Sequence, residues 1–228
     1  MPSSSPHLMS KVIEALIILD PQSLLDVGAG FGKYGVLARE YLDYQEYPRF
    51  KRKIDAIEGY RKYLTPIHTF VYDTVFVGEA RKEVRNIKGR YDLALSIDML
   101  EDLTKENGKK LIGAILKKSR GVIITIPKVC WNEKAEFGNT YEIFRSDWRE
   151  REIKGLGKGV MIPDYSHYIY YIGPKEERQK LRRRLFRRFI KEIIYSLPFA
   201  TSIRRMKVNF KESIALELEK EWKKKRIN

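Results

Sequence analysis

The sequence predicts a doubly wound α/β domain built on a mostly parallel sheet, followed by a basic helical extension. Three observations carry this. Short apolar runs alternate with helical stretches up to Pro174, the runs are apolar on both faces, and a glycine series follows the first of them. Strand–helix alternation gives parallel strands joined by crossover helices, and strands covered on both sides are apolar throughout. A chain of 228 residues with 43% hydrophobic content can bury one full α/β core and carry an appendage.

Each element follows in order. "SLLDVGA" is the first strand, and "FGKYGVLAREYL" reads as the helix after it, with Val36, Leu37 and Leu42 inward. "KIDAIEG" is the second strand, "TFVYDTVFVG" contains the third, and "EARKEVRNI" is a short helix. "YDLALSID" is the fourth strand. "KENGKKLIGAILKKS" is an amphipathic helix with Leu111, Ile112, Ile115 and Leu116 on one face, and "GVIITIP" is a fifth strand stopped by Pro127. "GKGVMIPD" and "SHYIYYIGP", turning through "DYS", read as a hairpin. They bring the sheet to seven strands and predict that it ends with one antiparallel strand. After Pro174, "KEERQKLRRRLFRRFIKEIIYSLP" is helical until Pro198, with Leu181, Leu185, Phe189, Ile193 and Leu197 at steps of four and an arginine-rich opposite face. A second helical stretch carries Ile214, Leu218 and Trp222 at the same step. The predicted division is residues 1–174 as the α/β domain and 175–228 as the extension.

Charge separates the same two parts. The net charge is +15, yet residues 1–174 hold 27 Lys and Arg against 23 Asp and Glu, whereas residues 175–228 hold 18 against 7. The single cysteine, Cys130, excludes an internal disulfide, fits a reducing compartment and reads as a buried or half-buried thiol beside Trp131. "MPSSSPHLMS" lacks the charged start and apolar run of a signal peptide. No stretch approaches the roughly 20 apolar residues of a spanning helix. A cytoplasmic protein is expected, free or peripheral to a membrane.

The glycines suggest a ligand. A dinucleotide fingerprint, G-x-G-x-x-G, needs a glycine where this chain has Lys33. The observed order is D-x-G-x-G-x-G, through Asp26, Gly28, Gly30 and Gly32. Glu58 ends the second strand, 26 residues after Gly32. A carboxylate at that place can accept both hydroxyls of a ribose. The expected ligand therefore contains an adenosine.

These segments resemble a family. "LLDVGAGFG", "IDAIEG", "FVGEA" and "YDLALSIDMLEDL" are similar, in order, to the ligand-binding segments of class I S-adenosylmethionine-dependent methyltransferases. The resemblance spans roughly Ser23 to Pro174. More narrowly, "PIHTFVYDTVFVGEA" and "FGNTYEIFRSDW" resemble a sparsely characterised prokaryotic branch associated with surface-glycan genes. The resemblance implies a Rossmann-like methyltransferase fold and S-adenosyl-L-methionine as cofactor, held by Asp26, Gly28, Ala29, Gly30, Gly32, Glu58, Glu79, Ala80 and Asp98. Within that set Gly28 and Gly30 pass close to the methionyl and ribose parts, Glu58 takes the ribose hydroxyls, and Glu79 with Ala80 sits beside the adenine. Two departures stand out. Glu79 replaces the family's usual Asp, and Asp102 stands where the family often carries His.

The implied chemistry is methyl transfer from a sulfonium, a cation that favours acidic neighbours such as Asp26, Asp98 and Glu101. Asp98 and Glu142 are the candidate general bases, and Tyr141 and Arg145 the candidate substrate-binding residues. "SIDM" is not the N/D-P-P-Y segment of enzymes that methylate amide or adenine nitrogens. His7, His68 and His167 are scattered, without metal spacing. The expected function is transfer of a methyl group to a small-molecule, glycan or lipid-linked acceptor, at oxygen. The alternatives are an RNA methyltransferase with the tail as docking arm, or a non-catalytic binding protein that keeps the fold. The basic tail is expected to meet an anionic membrane surface, RNA, the body of the protein or a second subunit in a homodimer.

Overall fold

A computed structural model describes residues 5–46, 49–129 and 135–196. Seven strands form one sheet: β1 (Ser23–Val27), β2 (Lys53–Glu58), β3 (Thr74–Val77), β4 (Tyr91–Ile97), β5 (Ser119–Pro127), β6 (Gly159–Ile162) and β7 (His167–Ile172). Their order across the sheet is β3-β2-β1-β4-β5-β7-β6. Strands β1 to β5 pair in parallel, and β7 pairs antiparallel with both β5 and β6. The hairpin forms as expected, but the sheet does not end on its antiparallel strand. β7 inserts between β5 and β6, and β6 takes the edge running with the parallel strands. Burial explains the choice. Ile169 to Ile172 of β7 are all buried, as an interior strand requires, whereas β6 alternates between buried and half-buried residues.

Helices cover both faces: α1 (Pro6–Leu19), α2 (Lys33–Leu42), α3 (Pro66–Val71), α4 (Ala80–Asn86), α5 (Lys105–Lys118), α6 (Glu150–Lys154) and α7 (Lys175–Ser196). α1 packs on α2 and α2 on α3, while α4 packs on α5. α1 and α3 are absent from the sequence reading. The spacing for α1 is nonetheless present, because Leu8, Val12, Ala15 and Leu16 are buried on one face behind a proline in the first turn. Residues along β1 divide between the layers. Leu25 and Val27 join the cluster containing Val84, Leu111 and Ile115, while Asp26 points the other way.

The inward face of α2 differs from expectation. Val36 is 39% exposed and Leu37 and Leu42 are half-buried, whereas Tyr34, Gly35, Ala38 and Arg39 face inward. Gly35 has to be there: a Cβ would lie 2.4 Å from the Tyr72 ring. Arg39 is 4% exposed and fully engaged. It donates to the Val71 carbonyl at 2.8 Å, the Arg52 carbonyl at 2.6 Å, Asp43 at 2.9 Å and Asp73 at 3.0 Å. Arg52 in turn bridges Asp43 and Asp20. This ion network ties α2 to the start of β2 and the end of α3, where aliphatic packing was expected.

The chain divides into two compact units, Met1–Arg182 and Arg183–Asn228. The first holds the sheet, and Leu181 is buried within it. Cys130, Trp131, Leu197, Pro198 and the stretch with Ile214, Leu218 and Trp222 lie outside the described residues. Among the described residues, no helix is long and apolar enough to cross a membrane.

Asp43 has no exposed surface and neutralises two guanidinium groups. Removing one partner of a buried ion pair strands the other charge, at a cost of about 3–5 kcal/mol. Asp43→Ala is therefore expected to lower the urea unfolding free energy by about that amount, and an unchanged midpoint would refute the network's role.

Candidate active site

The glycine turn continues the pairing of β1 with β2. The amides of Gly28 and Ala29 both donate to the Ile57 carbonyl, at 2.9 and 3.1 Å. Gly28, Gly30 and Gly32 have φ of +80°, +56° and +82°, a region that side-chain-bearing residues rarely adopt. At Gly28 space is also short, since a Cβ would sit 3.1 Å from Met99 Sδ.

The turn is held from beneath. The Gly30 amide donates to Glu58 Oε2 and the Tyr60 amide to Oε1, both at 2.7 Å. The Gly59 amide bears on the same carboxylate. The Thr65 amide donates to His68 Nδ1 at 3.1 Å, so Nδ1 is unprotonated and Nε2–H donates to the Gly30 carbonyl at 2.9 Å. The Tyr72 hydroxyl donates to Asp26 Oδ2 at 2.6 Å and accepts from the Gly35 amide at 3.2 Å. His68 and Tyr72 are supporting residues that the sequence reading missed. Both lie in "PIHTFVYD", but no spacing rule places that segment under Gly30.

Carboxyl groups crowd the strand ends. Burial pushes Asp26 up to about 6, with Glu58 adding to the shift and the Tyr72 hydrogen bond opposing it. Glu58 is raised by burial, opposed by the amides of Tyr60, Gly30 and Gly59, and raised further by Glu142. Glu101 is 7% exposed, its Oε2 has no hydrogen-bond partner, and burial followed by the charges of Asp98 and Asp102 holds it well above the usual range. Asp102 is pushed up to about 7 by burial and Glu142, with Arg145 opposing. Asp26, Glu58, Asp98, Glu101, Asp102 and Glu142 thus form an acidic cluster on a basic chain, and burial and proximity raise the proton affinity of Asp26, Glu58, Glu101 and Asp102.

Asp98 and Glu142 are each anchored. Asp98 has φ +46°, its Oδ1 accepts from the Thr125 hydroxyl at 2.6 Å, and His167 Nε2 lies 3.7 Å from it. Glu142 accepts from the Tyr63 hydroxyl at 2.8 Å, and burial with this carboxylate pushes Tyr63 up to about 12. Tyr141 follows the buried Asn139, whose side chain accepts its amide at 3.0 Å, and its ring lies over Gly59. The backbone amides of Arg145 and Ser146 donate to the Glu101 carbonyl at 2.8 and 3.0 Å. Trp148 donates its indole N–H to Leu100 at 3.2 Å. The segment after β5 is thus laced to the end of β4. Phe31 packs tilted on Tyr63 and Tyr60 packs edge-on to it, with ring centroids 4.7 and 4.9 Å apart.

Glu79 and Ala80 stand further out, at the end of β3 where α4 begins. The Glu79 carboxylate is taken by the Arg81 guanidinium, which also donates to Asn107 at 2.6 Å. The structure therefore gathers Asp26, Gly28, Ala29, Gly30, Gly32, Glu58, Asp98, Tyr141, Glu142 and Arg145 around the ends of β1, β2 and β4, and pairs Glu79 with a neighbouring cation.

No family model matches the chain, and no curated protein matches it in sequence. Solved structures do match it in fold. An O-methyltransferase family protein from Burkholderia thailandensis is similar over 74% of this chain and 56% of its own, at 12% identity and a TM-score of 0.53. PigF with SAH is similar over 74% and 56%, at 15% identity and 0.51. The methyltransferase domain of bacterial CtHen1-CN is similar over 73% and 97%, at 13% identity and 0.50. This chain thus spans just over half the length of the first two. The shared fold is the Rossmann-like fold of class I methyltransferases.

Asp102 binds its proton more tightly in the fold, at about 7, than its ordinary value of 3.8. A raised carboxyl contributes stability below the ordinary value and loses it as pH rises through the folded one. Relative to Asp102→Asn, the wild-type chain should lose melting temperature steadily between pH 4 and 7. A difference independent of pH would show that Asp102 is not perturbed.

Proposed function

We propose that this chain, which has the class I methyltransferase fold, is an S-adenosylmethionine-dependent methyltransferase. The observation that carries the reading is the sign of the charge at the glycine turn. Asp26 and Glu58 stand at the turn and further carboxyl groups at the neighbouring strand ends, where a dinucleotide fold holds its pyrophosphate, and such a cluster disfavours a phosphate bridge. A ligand bearing a sulfonium and an ammonium relieves the same crowding. The residues present fit such a ligand. The positive-φ glycines keep side chains out of its path, and backbone amides at the turn orient the Glu58 carboxylate for the ribose hydroxyls.

Bound in this crevice, the cofactor would supply an electrophilic methyl group on a cationic sulfur. The chain's own part is to hold and orient. Asp26, Gly28, Ala29, Gly30, Gly32, Glu58 and Asp98 form the proposed cofactor wall, with Glu79 and Ala80 at its outer end. Orientation of the two reactants alone is worth roughly 7–11 kcal/mol in favourable models. The acceptor is a small-molecule, glycan or lipid-linked hydroxyl, flanked by Tyr141 and Arg145. The aromatic cluster of Phe31, Tyr60 and Tyr63 supports an acceptor with an apolar part. Asp98 and Glu142 keep their proposed roles near the reacting hydroxyl. Either would accept the hydroxyl proton as the methyl group is transferred. An RNA acceptor finds less support, because the same carboxylates that suit a cation repel a phosphate backbone.

Two measurements test this. Calorimetric titration with S-adenosylmethionine should give weaker binding by about 100-fold for Glu58→Ala, the scale expected when two hydrogen bonds to a charged group are lost. Unchanged affinity would overturn the ribose assignment, as would preferential binding of a nicotinamide dinucleotide. With an acceptor in hand, Asp98→Asn or Glu142→Gln should lower kcat by roughly 100-fold or more, the scale of a lost general base, and an unchanged kcat in both would remove the base assignment.

A further inference from the structure

The second unit carries a feature that the methyl-transfer chemistry does not use. Within α7, Phe186, Phe189, Ile190 and Ile193 recur at helical spacing and are 64%, 56%, 37% and 42% exposed. Arg184, Arg187, Arg188 and Lys191 repeat the same spacing two residues earlier, on the opposite face. Arg183 flanks the apolar stripe. A surface helix in water normally keeps its large apolar residues inward, and two exposed phenylalanines on one stripe mark a surface awaiting a partner.

We propose that this stretch of α7 docks on the surface of an anionic lipid bilayer, lying in the plane of the interface. Its two faces match the two layers met there. The aromatic and isoleucine stripe suits the boundary between headgroups and acyl chains, and the guanidinium groups suit anionic headgroups, with long stems that let charged ends reach water. The helix is too charged to span, in keeping with the absence of a spanning helix among the described residues. Nucleic acid explains only half of the pattern, since phosphate binding needs the arginines but not the phenylalanines. A second copy of the chain could cover the apolar stripe, but it leaves the arginine-rich face without a role.

The test is flotation of the full-length protein with vesicles of phosphatidylcholine alone or with 30 mol% phosphatidylglycerol, at about 0.1 M salt. Binding is expected with the anionic vesicles only, and Phe186→Glu with Phe189→Glu should weaken it at least tenfold. Both positions are exposed, so the melting temperature should stay unchanged and separates docking from folding. Equal flotation of variant and wild type would overturn the proposal. So would failure to bind anionic vesicles, whether accompanied by RNA binding that survives the double substitution or by dimerisation that the substitution abolishes. The outcome is independent of whether the first unit transfers methyl groups.

Discussion

Asp26 and Glu58 are withdrawn from water directly beneath the glycine turn, and the surroundings answer the cost of burying them. An isolated buried carboxylate is expensive unless it is protonated or hydrogen-bonded. Here Tyr72 supplies one donor, and the amides of Gly30 and Tyr60 supply two more. These bonds fix the turn in place, because the same groups that satisfy the carboxylates are parts of the turn or its supports. His68 completes the arrangement from the other side of Gly30. The turn is thus rigid before any ligand arrives, which is the condition for a backbone to approach a ligand closely without further ordering.

Sheet order decides what stands opposite the turn. With β4 beside β1, the acidic "DMLED" segment lands across from the glycines, and Met99 packs against Gly28. With β7 rather than β6 beside β5, His167 comes near Asp98. The segment after β5 then folds back onto the end of β4 through Arg145, Ser146 and Trp148 and brings Glu142 within reach of Tyr63. None of these carboxylates is unusual alone. Their perturbed proton affinities come from convergence.

The chain also sorts its charge by location. Its basic surplus resides in the second part of the sequence, while carboxyl groups gather at the strand ends of the first unit. Net charge alone would suggest a nucleic-acid or phosphate ligand. The ionisable groups gathered at the glycine turn are carboxyls, and it is these groups that a bound ligand meets.

By itself the sequence determined the sheet-forming runs, the glycine turn, Glu58 at the end of β2 and the division into a balanced body and a basic tail. These are local properties: apolar periodicity, glycine at positive φ and the distance along a strand–helix–strand unit. Tertiary structure alone decided that β7 lies inside β6, that α2 turns Arg39 inward rather than Val36, and that His68 and Tyr72 brace the turn. It also decided that Asp102 joins Glu101 and Glu142, and that Glu79 spends its charge on Arg81. The reason is common to all of them. A side chain's hydrogen bonds, burial and proton affinity depend on neighbours dozens of residues away in the chain, and only packing the sheet and its layers brings those neighbours together.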